Sequence, residues 1–159
     1  MEIRGLGKGW DEYRLGESWR TVGRTVTEAD LVAFLRITGM EEATFTDHEF
    51  RRKHAAIDRQ FVPGALVYTF VEGICLRGFE GAGLVFLNME LDIKAPCFVG
   101  DTIHGEIEVT ELRKTSKGDR GLMRTRITVK NQDGAVLLVY TPLRLVKSKA
   151  EMAVLAESY

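Results

Sequence analysis

Cysteine is scarce in this 159-residue chain, and its two cysteines, Cys75 and Cys97, do not have the spacing of metal ligands. Both lie in apolar stretches, where a buried free thiol is a more common state than a disulfide. A chain of this length can bury a core without metal or disulfide cross-links. The sequence therefore predicts a domain with neither a metal site nor a disulfide framework.

An excess of charge of either sign is also lacking. The formal net charge is -1, with 28% charged and 45% hydrophobic residues, which are ordinary proportions for a globular protein. This balance indicates neither nucleic acid nor a membrane as a partner. The longest apolar stretch, residues 61–76, is interrupted by Pro63, Gly64, Glu72 and Gly73, which disfavours a membrane span. Because no segment is arranged like a signal peptide, we expect a cytoplasmic protein.

Two stretches have the apolar spacing of helices. Thr27 suits an N-cap before an acidic first turn, the following apolar residues keep helical intervals, and Gly39 suits the end, which predicts a helix over residues 28–38. The segment 63–77 begins with proline, which is favoured at helix starts, and is apolar on nearly all sides. Because a helix of that composition is buried, this segment is predicted to be the central helix of the core.

The second half of the chain changes to the period of strands. Alternation over residues 102–112 and 123–130 predicts half-buried antiparallel strands, on which His104 is expected to face solvent. Other predicted elements are strands at 84–95 and 135–146, turns at 116–121 and 131–134, a strand within 18–26, a loop at 40–46, a helix at 48–55 and a terminal helix from 149. This order predicts a single α+β hot-dog domain over residues 1–159, with its core at about 15–147. Its antiparallel sheet would wrap around the long buried helix.

Six pieces of the sequence carry motifs shared with a known family. They are Gly23–Asp30, Phe34 with Thr38–Gly39, Asp47–Phe50, Val62–Leu66, Lys94–Thr102 and Asn131–Gly134. In this order they resemble the MaoC-like (R)-specific enoyl-CoA hydratases and dehydratases, over about residues 15–147. The most specific piece is Pro96-x-x-x-Gly100-Asp101-Thr102, in register with the helix motif.

The resemblance implies a chemistry. Such enzymes add water to a trans-2-enoyl thioester, or remove it, and the resemblance implies no metal and no cofactor other than the CoA or carrier-protein thioester as substrate. An Asp and a His on the loop after the Thr-Gly pair hold a water and move its proton. The N–H at the start of the buried helix, here Gly64, polarises the thioester carbonyl. Hot-dog proteins commonly pair, so a homodimer or a heterodimer with a related hot-dog protein is expected.

The loop departs from the family at the residues of the chemistry. Met40 stands where the Asp is expected and Phe45 where the His is expected, and neither side chain can transfer a proton. Glu42-Ala43 replaces Asn-Pro, and Pro63 replaces the His that precedes the helix glycine. Gly64 is retained, so its backbone amide can still act as the oxyanion donor.

Two other residues are candidates for the missing catalytic pair. Glu42 lies in the loop and His48 follows Phe45 by three residues, so a loop with different gaps could bring both to Gly64. The simpler alternative is that His48 is the exposed first residue of a short helix, beside its cap Asp47.

The apolar replacements Met40 and Phe45 have two interpretations. They fill the former polar site and bind an acyl chain without hydrating it, or they are core residues beneath a loop. The predicted substrate-binding set is completed by Asp58, Pro63, Ala65 and Thr69. Of these, Asp58 lies either at the pocket mouth or in a solvated turn, and Thr69 stands where the family carries a small hydroxyl residue.

Charged residues raise two further questions. Glu72 lies within the buried helix, and a buried carboxylate needs a partner or a raised pKa. It could lie at a dimer interface, on the pocket floor or at a solvated edge. Arg51, Arg52, Lys53 and Arg59 form a basic cluster that either attracts CoA phosphates or is a solvated helix face.

Three functions remain open from the sequence. The first is a hydratase or dehydratase of a CoA or carrier thioester whose chemistry is altered or lost. The second is a non-catalytic subunit that binds acyl thioesters beside an active homologue. The third is a hot-dog thioesterase that would use Asp58, Glu42 or Glu72 to activate water, and it rests on analogy between folds.

Overall fold

The computed structural model describes residues 3–116 and 118–159. Its helices are Glu28–Thr38 (α1), Ala43–Thr46 (α2), His48–His54 (α3), Gly64–Leu76 (α4) and Lys149–Ser158 (α5), with 3-10 turns at Trp10–Glu12 and Arg77–Phe79. Its strands are Ser18–Arg20 (β1), Arg24–Thr25 (β2), Gly83–Asn88 (β3), Leu91–Ile93 (β4), Thr102–Lys114 (β5), Gly121–Lys130 (β6), Val136–Tyr140 (β7) and Leu143–Val146 (β8). None of the helices in the described ranges is long and apolar enough to cross a membrane.

The strands form one antiparallel sheet around α4. The long strands β5 and β6 pair at its centre, β1 and β2 pair with β5, and both β7 and β8 pair with β6. Strand β4 pairs with β7 and β3 with β8, so β3 and β4 form the other edge. The predicted hot-dog fold is confirmed, because the sheet encloses the apolar helix.

The first helix has the predicted bounds because its end signals are local. The Thr27 hydroxyl accepts a hydrogen bond from the Asp30 N–H, and the Asp30 carboxylate accepts one from the Thr27 N–H, which satisfies two donors at the helix start. Gly39 ends the helix with φ 72°, a left-handed conformation that glycine adopts without steric cost.

Three predicted elements differ in detail. The loop at 40–46 contains the short helix α2, and the strand 84–95 divides into β3 and β4 while the strand 135–146 divides into β7 and β8. The break between β3 and β4 lies opposite the break between β7 and β8. At this position Pro142 has no N–H to continue the hydrogen bonds of the sheet. The predicted turn at 116–121 includes Lys117, which lies outside the described residues, and Gly121 already begins β6.

The main core lies between α4 and the inner face of the sheet. The α4 side chains Leu66, Val67 and Val71 are almost fully buried there, as the apolar pattern predicts. Gly105 on β5 permits a close approach, because a Cβ at this position would lie 2.9 Å from Val71 Cγ1. Cys75 belongs to the same core, and burial raises its pKa to about 11.

A second core cluster lies beyond the C-terminal end of α4. Phe79, Val109 and Met123 are buried in it, and Trp10 and Tyr13 from the N-terminal segment pack against it. The Trp10 ring lies directly against Gly121, where a Cβ would overlap it, and its Nε1–H donates to the Asp119 carbonyl at 2.7 Å. The N-terminal segment therefore closes the end of the core that lies farthest from the start of α4.

Glu72 is paired inside the protein rather than solvated. It is 8% exposed, its Oε1 accepts from Arg144 Nη2 at 2.5 Å, and its Oε2 accepts from the Tyr140 hydroxyl at 2.9 Å. Arg144 also donates to Thr125 Oγ1 at 3.3 Å and lies beside the rings of Phe79 and Phe86. Of the three alternatives that the sequence leaves open for Glu72, the solvated edge is therefore wrong, because β7 and β8 place partners over this face of α4.

His104 is buried, so the expectation that it faces solvent is wrong. His104 lies on the outer face of β5, yet it is only 6% exposed. Long side chains of neighbouring strands cover it. Arg20 Nη2 lies 3.4 Å from Nδ1, Glu106 Oε1 lies 3.7 Å from Nε2, and Lys130 is the cross-strand partner. Burial, and then the charge of Arg20, lower the pKa of His104 below its ordinary value of 6.5.

The burial of His104 predicts a pH-dependent stability. As the pH falls below about 6.5, the unfolded chain takes up a proton at this residue before the folded protein does, so the free energy of unfolding should fall. His104→Gln should flatten this decline between pH 6.5 and 5. Urea unfolding across this range measures it, with the exposed His48→Gln as the matched control. Equal slopes for the wild type and His104→Gln would contradict the prediction.

Candidate functional site

An apolar pocket of about 380 Å³ lies at the N-terminal end of α4. Its walls come from four parts of the fold. These are α2, the segment before α4, the first turn of α4, and the strands β4 and β7 with the segment after β4. The lining residues include Phe45, Ile57, Phe61, Pro63, Gly64, Val67, Ile93, Lys94, Pro96, Cys97, Leu137 and Leu138. The pocket can hold an apolar chain.

Gly64 supplies the polar group of this pocket. It is the first residue of α4, so its N–H has no acceptor within the helix, and no other residue in ranges 3–116 and 118–159 accepts from it. The positive end of the helix dipole adds to this N–H. A Cβ on residue 64 would overlap Ile93 Cδ1, so glycine leaves room between the helix start and β4. An N–H in this position can donate to a carbonyl oxygen.

The two apolar replacements in the loop have different positions. Phe45 lines the pocket and packs edge-on against Phe61, with 5.3 Å between ring centroids. Met40 is 44% exposed and does not line the pocket, because the chain leaves α1 at Gly39 and turns toward the surface. Only Phe45 of this pair therefore has the predicted contact with the site.

Glu42 and His48 are not brought together at Gly64. Glu42 is exposed at the start of α2, where its carbonyl accepts from the Phe45 and Thr46 N–H groups. His48 is the exposed first residue of α3, capped by Asp47, and it lines a second cavity of about 360 Å³. No hydrogen bond joins Glu42 to His48 in the part of the chain that the structure describes.

The remaining predicted substrate-binding residues are also dispersed. Pro63 lines the pocket and is buried, with its carbonyl accepting from the Leu66 N–H. Ala65 and Thr69 are exposed on another side of α4, where the Thr69 hydroxyl donates to the Ala65 carbonyl and Thr69 lines a separate cleft. Asp58 is exposed beside Ile57, so its side chain lies in the solvated turn that the sequence offered as an alternative.

The basic cluster does not form one cationic surface. Arg51 is 4% exposed and donates to the carbonyls of Thr44 and Asp58 at 3.2 and 3.1 Å. Arg52 and Lys53 form exposed ion pairs with Glu49, and Arg59 stacks on the Phe98 ring. Arg51 thus ties together the two segments that carry the pocket residues Phe45 and Ile57.

The Asp101 carboxylate gives the Pro96-x-x-x-Gly100-Asp101-Thr102 motif a structural role. Its side chain is 2% exposed, and its Oδ2 accepts from the Phe98 N–H at 2.9 Å. Its Oδ1 accepts from Gln132 Nε2 at 3.0 Å. The carboxylate therefore fixes the turn that begins with the pocket residues Pro96 and Cys97.

The pocket offers little acid or base chemistry. Among the lining residues that the structure describes, the titratable side chains are Lys94 and Cys97. Lys94 pairs with Asp92 at 3.3 Å, and burial raises the pKa of Cys97 to about 12, so this thiol stays protonated. The sequence prediction missed Ile57 and Phe61, although two apolar residues on either side of the polar residues 58–60 are a usable signal.

Comparisons with known proteins agree with this fold. The family model described as "FAS1-like, dehydratase domain region" matches residues 14–139. An (R)-specific enoyl-CoA hydratase from Aeromonas caviae is 32% identical over 81 residues, which cover 51% of this chain and 58% of that enzyme.

Solved structures show the same fold. A MaoC-like dehydratase from Rhodospirillum rubrum superposes with a TM-score of 0.80 at 19% identity, over 89% of this chain and 98% of that one. A Mycobacterium tuberculosis protein with a double hot-dog fold superposes with a TM-score of 0.81 at 20% identity, over 92% of this chain and 46% of that one. Because the family match spans most of the sequence, the chain belongs to the MaoC-like hydratase/dehydratase family, among its FAS1-like dehydratase domains.

Proposed function

We propose that this protein binds the acyl group of a CoA or carrier-protein thioester, with hydratase chemistry that is altered or lost. The observation that carries the proposal is the apolar pocket that opens on the unpaired N–H of Gly64. The acyl chain would lie against Val67 and Leu138, and the thioester carbonyl would accept from Gly64. The similarity to an (R)-specific enoyl-CoA hydratase supports this class of ligand.

The residues that line the pocket support the proposed change or loss of hydratase chemistry. Hydration of an enoyl thioester needs a group that removes a proton from water and a group that delivers one to carbon. Within the described residues, the pocket wall contains no carboxylate and no imidazole. Glu42 and His48 could restore the chemistry only if the segment 40–48 rearranged on binding. The thioesterase alternative is disfavoured for the same reason, because Asp58 and Glu42 are exposed and Glu72 is paired with Arg144.

Calorimetric titration with octanoyl-CoA tests the proposal. We expect binding to the wild type and at least tenfold weaker binding to Ile57→Trp, because a larger side chain at the pocket wall removes the space for the chain. Phe50→Trp, on the exposed side of α3, is the matched control and should bind like the wild type. Absence of binding by a folded wild-type protein would overturn the proposal.

Turnover assays on the same preparation separate the three functions. Loss of enoyl absorbance with crotonyl-CoA or a longer enoyl-CoA would show that the hydratase chemistry is retained. Release of free thiol from acyl-CoA would show a thioesterase. Binding without either reaction is the result we expect.

We also propose that two hot-dog units associate through the edge formed by β3 and β4. Val85, Phe86, Leu87 and Ile93 are 43–62% exposed on this edge, which is more apolar surface than an isolated edge strand usually presents. The double hot-dog protein, whose chain is about twice as long, supports a two-unit arrangement. Sedimentation equilibrium distinguishes a dimer from a monomer directly.

A further inference from the structure

Two cavities meet at Phe45. The first is the apolar pocket at Gly64, and the second is the cavity of about 360 Å³ between α1 and the α2–α3 segment. Of the residues that the structure describes, Phe45 is the one that lines both. The second cavity has apolar residues such as Leu31 and Leu35 on its α1 side, and His48 and Gln60 on the other side.

The Phe45 ring is held in this position from two directions. Phe61 packs edge-on against it, and Phe61 is itself fixed by an antiparallel bridge to Phe98. On the backbone side, the buried Arg51 guanidinium donates to the carbonyl of Thr44, the residue before Phe45. The Arg51 guanidinium also donates to the carbonyl of Asp58. Because a buried guanidinium that lost these two carbonyl acceptors would be left without partners, Arg51 keeps α2 in place. The ring is therefore a fixed wall rather than a freely moving side chain.

From this geometry we infer that Phe45 determines the length of acyl chain that the protein accepts, by closing the Gly64 pocket against the second cavity. The inference rests on the proposed function, since it concerns the same pocket. Removal of the ring would join the two cavities, and the apolar α1 wall formed by Leu31 and Leu35 would extend the binding surface for the far end of the chain. Phe45 is then a specificity-determining residue and takes no part in any proton transfer.

The test compares chain-length profiles. Dissociation constants for butyryl-, hexanoyl-, octanoyl-, decanoyl- and dodecanoyl-CoA would be measured for the wild type, Phe45→Ala and Phe45→Trp. Burial of each additional methylene tightens binding about fourfold, until the chain reaches the end of the pocket. We expect this gain to stop at a shorter chain in the wild type than in Phe45→Ala, with at least tenfold tighter binding of the longest chains by the variant. In Phe45→Trp, the gain in affinity per methylene should stop at the same chain length as in the wild type or at a shorter one.

Matched variants control for side effects of the substitution. Phe50→Ala removes the same ring from the neighbouring helix, where it lines neither cavity, and should keep the wild-type profile. Phe45→Leu preserves more of the packing if Phe45→Ala fails to fold, and it should shift the profile in the same direction. Identical profiles for the wild type and a folded Phe45→Ala or Phe45→Leu protein would overturn the inference.

A second arm separates this inference from the proposed function. Straight-chain 1-alkanols from butanol to decanol probe the apolar space without CoA, with thermal stabilisation as the readout. The alkanol cut-off is the chain length beyond which thermal stabilisation no longer increases. If the wild type binds no acyl-CoA, the proposed function fails. A longer alkanol cut-off in Phe45→Ala than in the wild type would still support the inference that Phe45 closes the pocket. An unchanged alkanol cut-off would overturn it even if acyl-CoA binds.

Discussion

Arg144→Met is expected to lower the free energy of unfolding by about 3–5 kcal/mol, because it leaves the Glu72 carboxylate buried without its ionic partner. Both residues are less than a tenth exposed, and their contact is 2.5 Å long. The Tyr140 hydroxyl would be the remaining donor to Glu72, which is insufficient to replace a charge. Urea unfolding at pH 7 measures the loss.

The double variant Glu72→Gln with Arg144→Met isolates the ionic part of this effect. A neutral amide can still accept from Tyr140, so the double variant should recover most of the stability that Arg144→Met loses. Arg126→Met, on the exposed outer face of β6, is the control for removal of a cation and should change stability by less than about 0.5 kcal/mol. If Arg144→Met proved as mild as Arg126→Met, the buried pair would not stabilise the core.

Asp101→Ala is expected to cost about 2 kcal/mol, because it removes a charged acceptor from the partly buried Phe98 N–H and from Gln132. The turn that it fixes carries the pocket residues Pro96 and Cys97. Octanoyl-CoA binding should therefore weaken together with stability. Chemical unfolding and the calorimetric titration would be run on the same preparation.

Asp101→Asn keeps the shape of the side chain but replaces one of its two acceptor oxygens by an NH2 group. Its single oxygen can accept from the Phe98 N–H, but its NH2 group would then face the NH2 group of Gln132. The Gln132 amide cannot turn over without loss, since its Oε1 accepts from the Thr102 N–H at 2.9 Å. We expect Asp101→Asn to lie between the wild type and Asp101→Ala. Asp133→Ala removes only the exposed second acceptor of the same Gln132 amide, at 3.1 Å, and should cost much less than Asp101→Ala. Full stability of Asp101→Asn would contradict this account.

Local signals predicted most of the fold. The capping residues and apolar spacing of α1 and α4 depend on neighbours within one or two turns, so their bounds agree with the sequence to within one residue. The alternation along β5 and β6 predicted the sheet for the same reason. The divisions at Met89–Glu90 and Thr141–Pro142 were missed, because they arise from two strands bending together.

Distant partners account for what could not be predicted. Glu72 meets Tyr140 and Arg144, which lie 68 and 72 residues further along the chain, so its pairing has no local signature. Arg51 stands in a basic run that resembles a solvated face, and its burial depends on carbonyls at Thr44 and Asp58. His104 occupies the polar position of a regular strand, and it is covered by long side chains from β1 and β6.

The position of the two tryptophans governs what spectroscopy can report. Trp10 packs in the second core cluster against Gly121, while Trp19 stacks on Tyr13 and packs against both core clusters. Neither indole lines the Gly64 pocket, and α4, about 20 Å long, lies between the second cluster and the pocket. We therefore expect Trp10 emission to follow the docking of the N-terminal segment and to be insensitive to a ligand at Gly64, and we expect Trp19 emission to follow the packing of the main core as well.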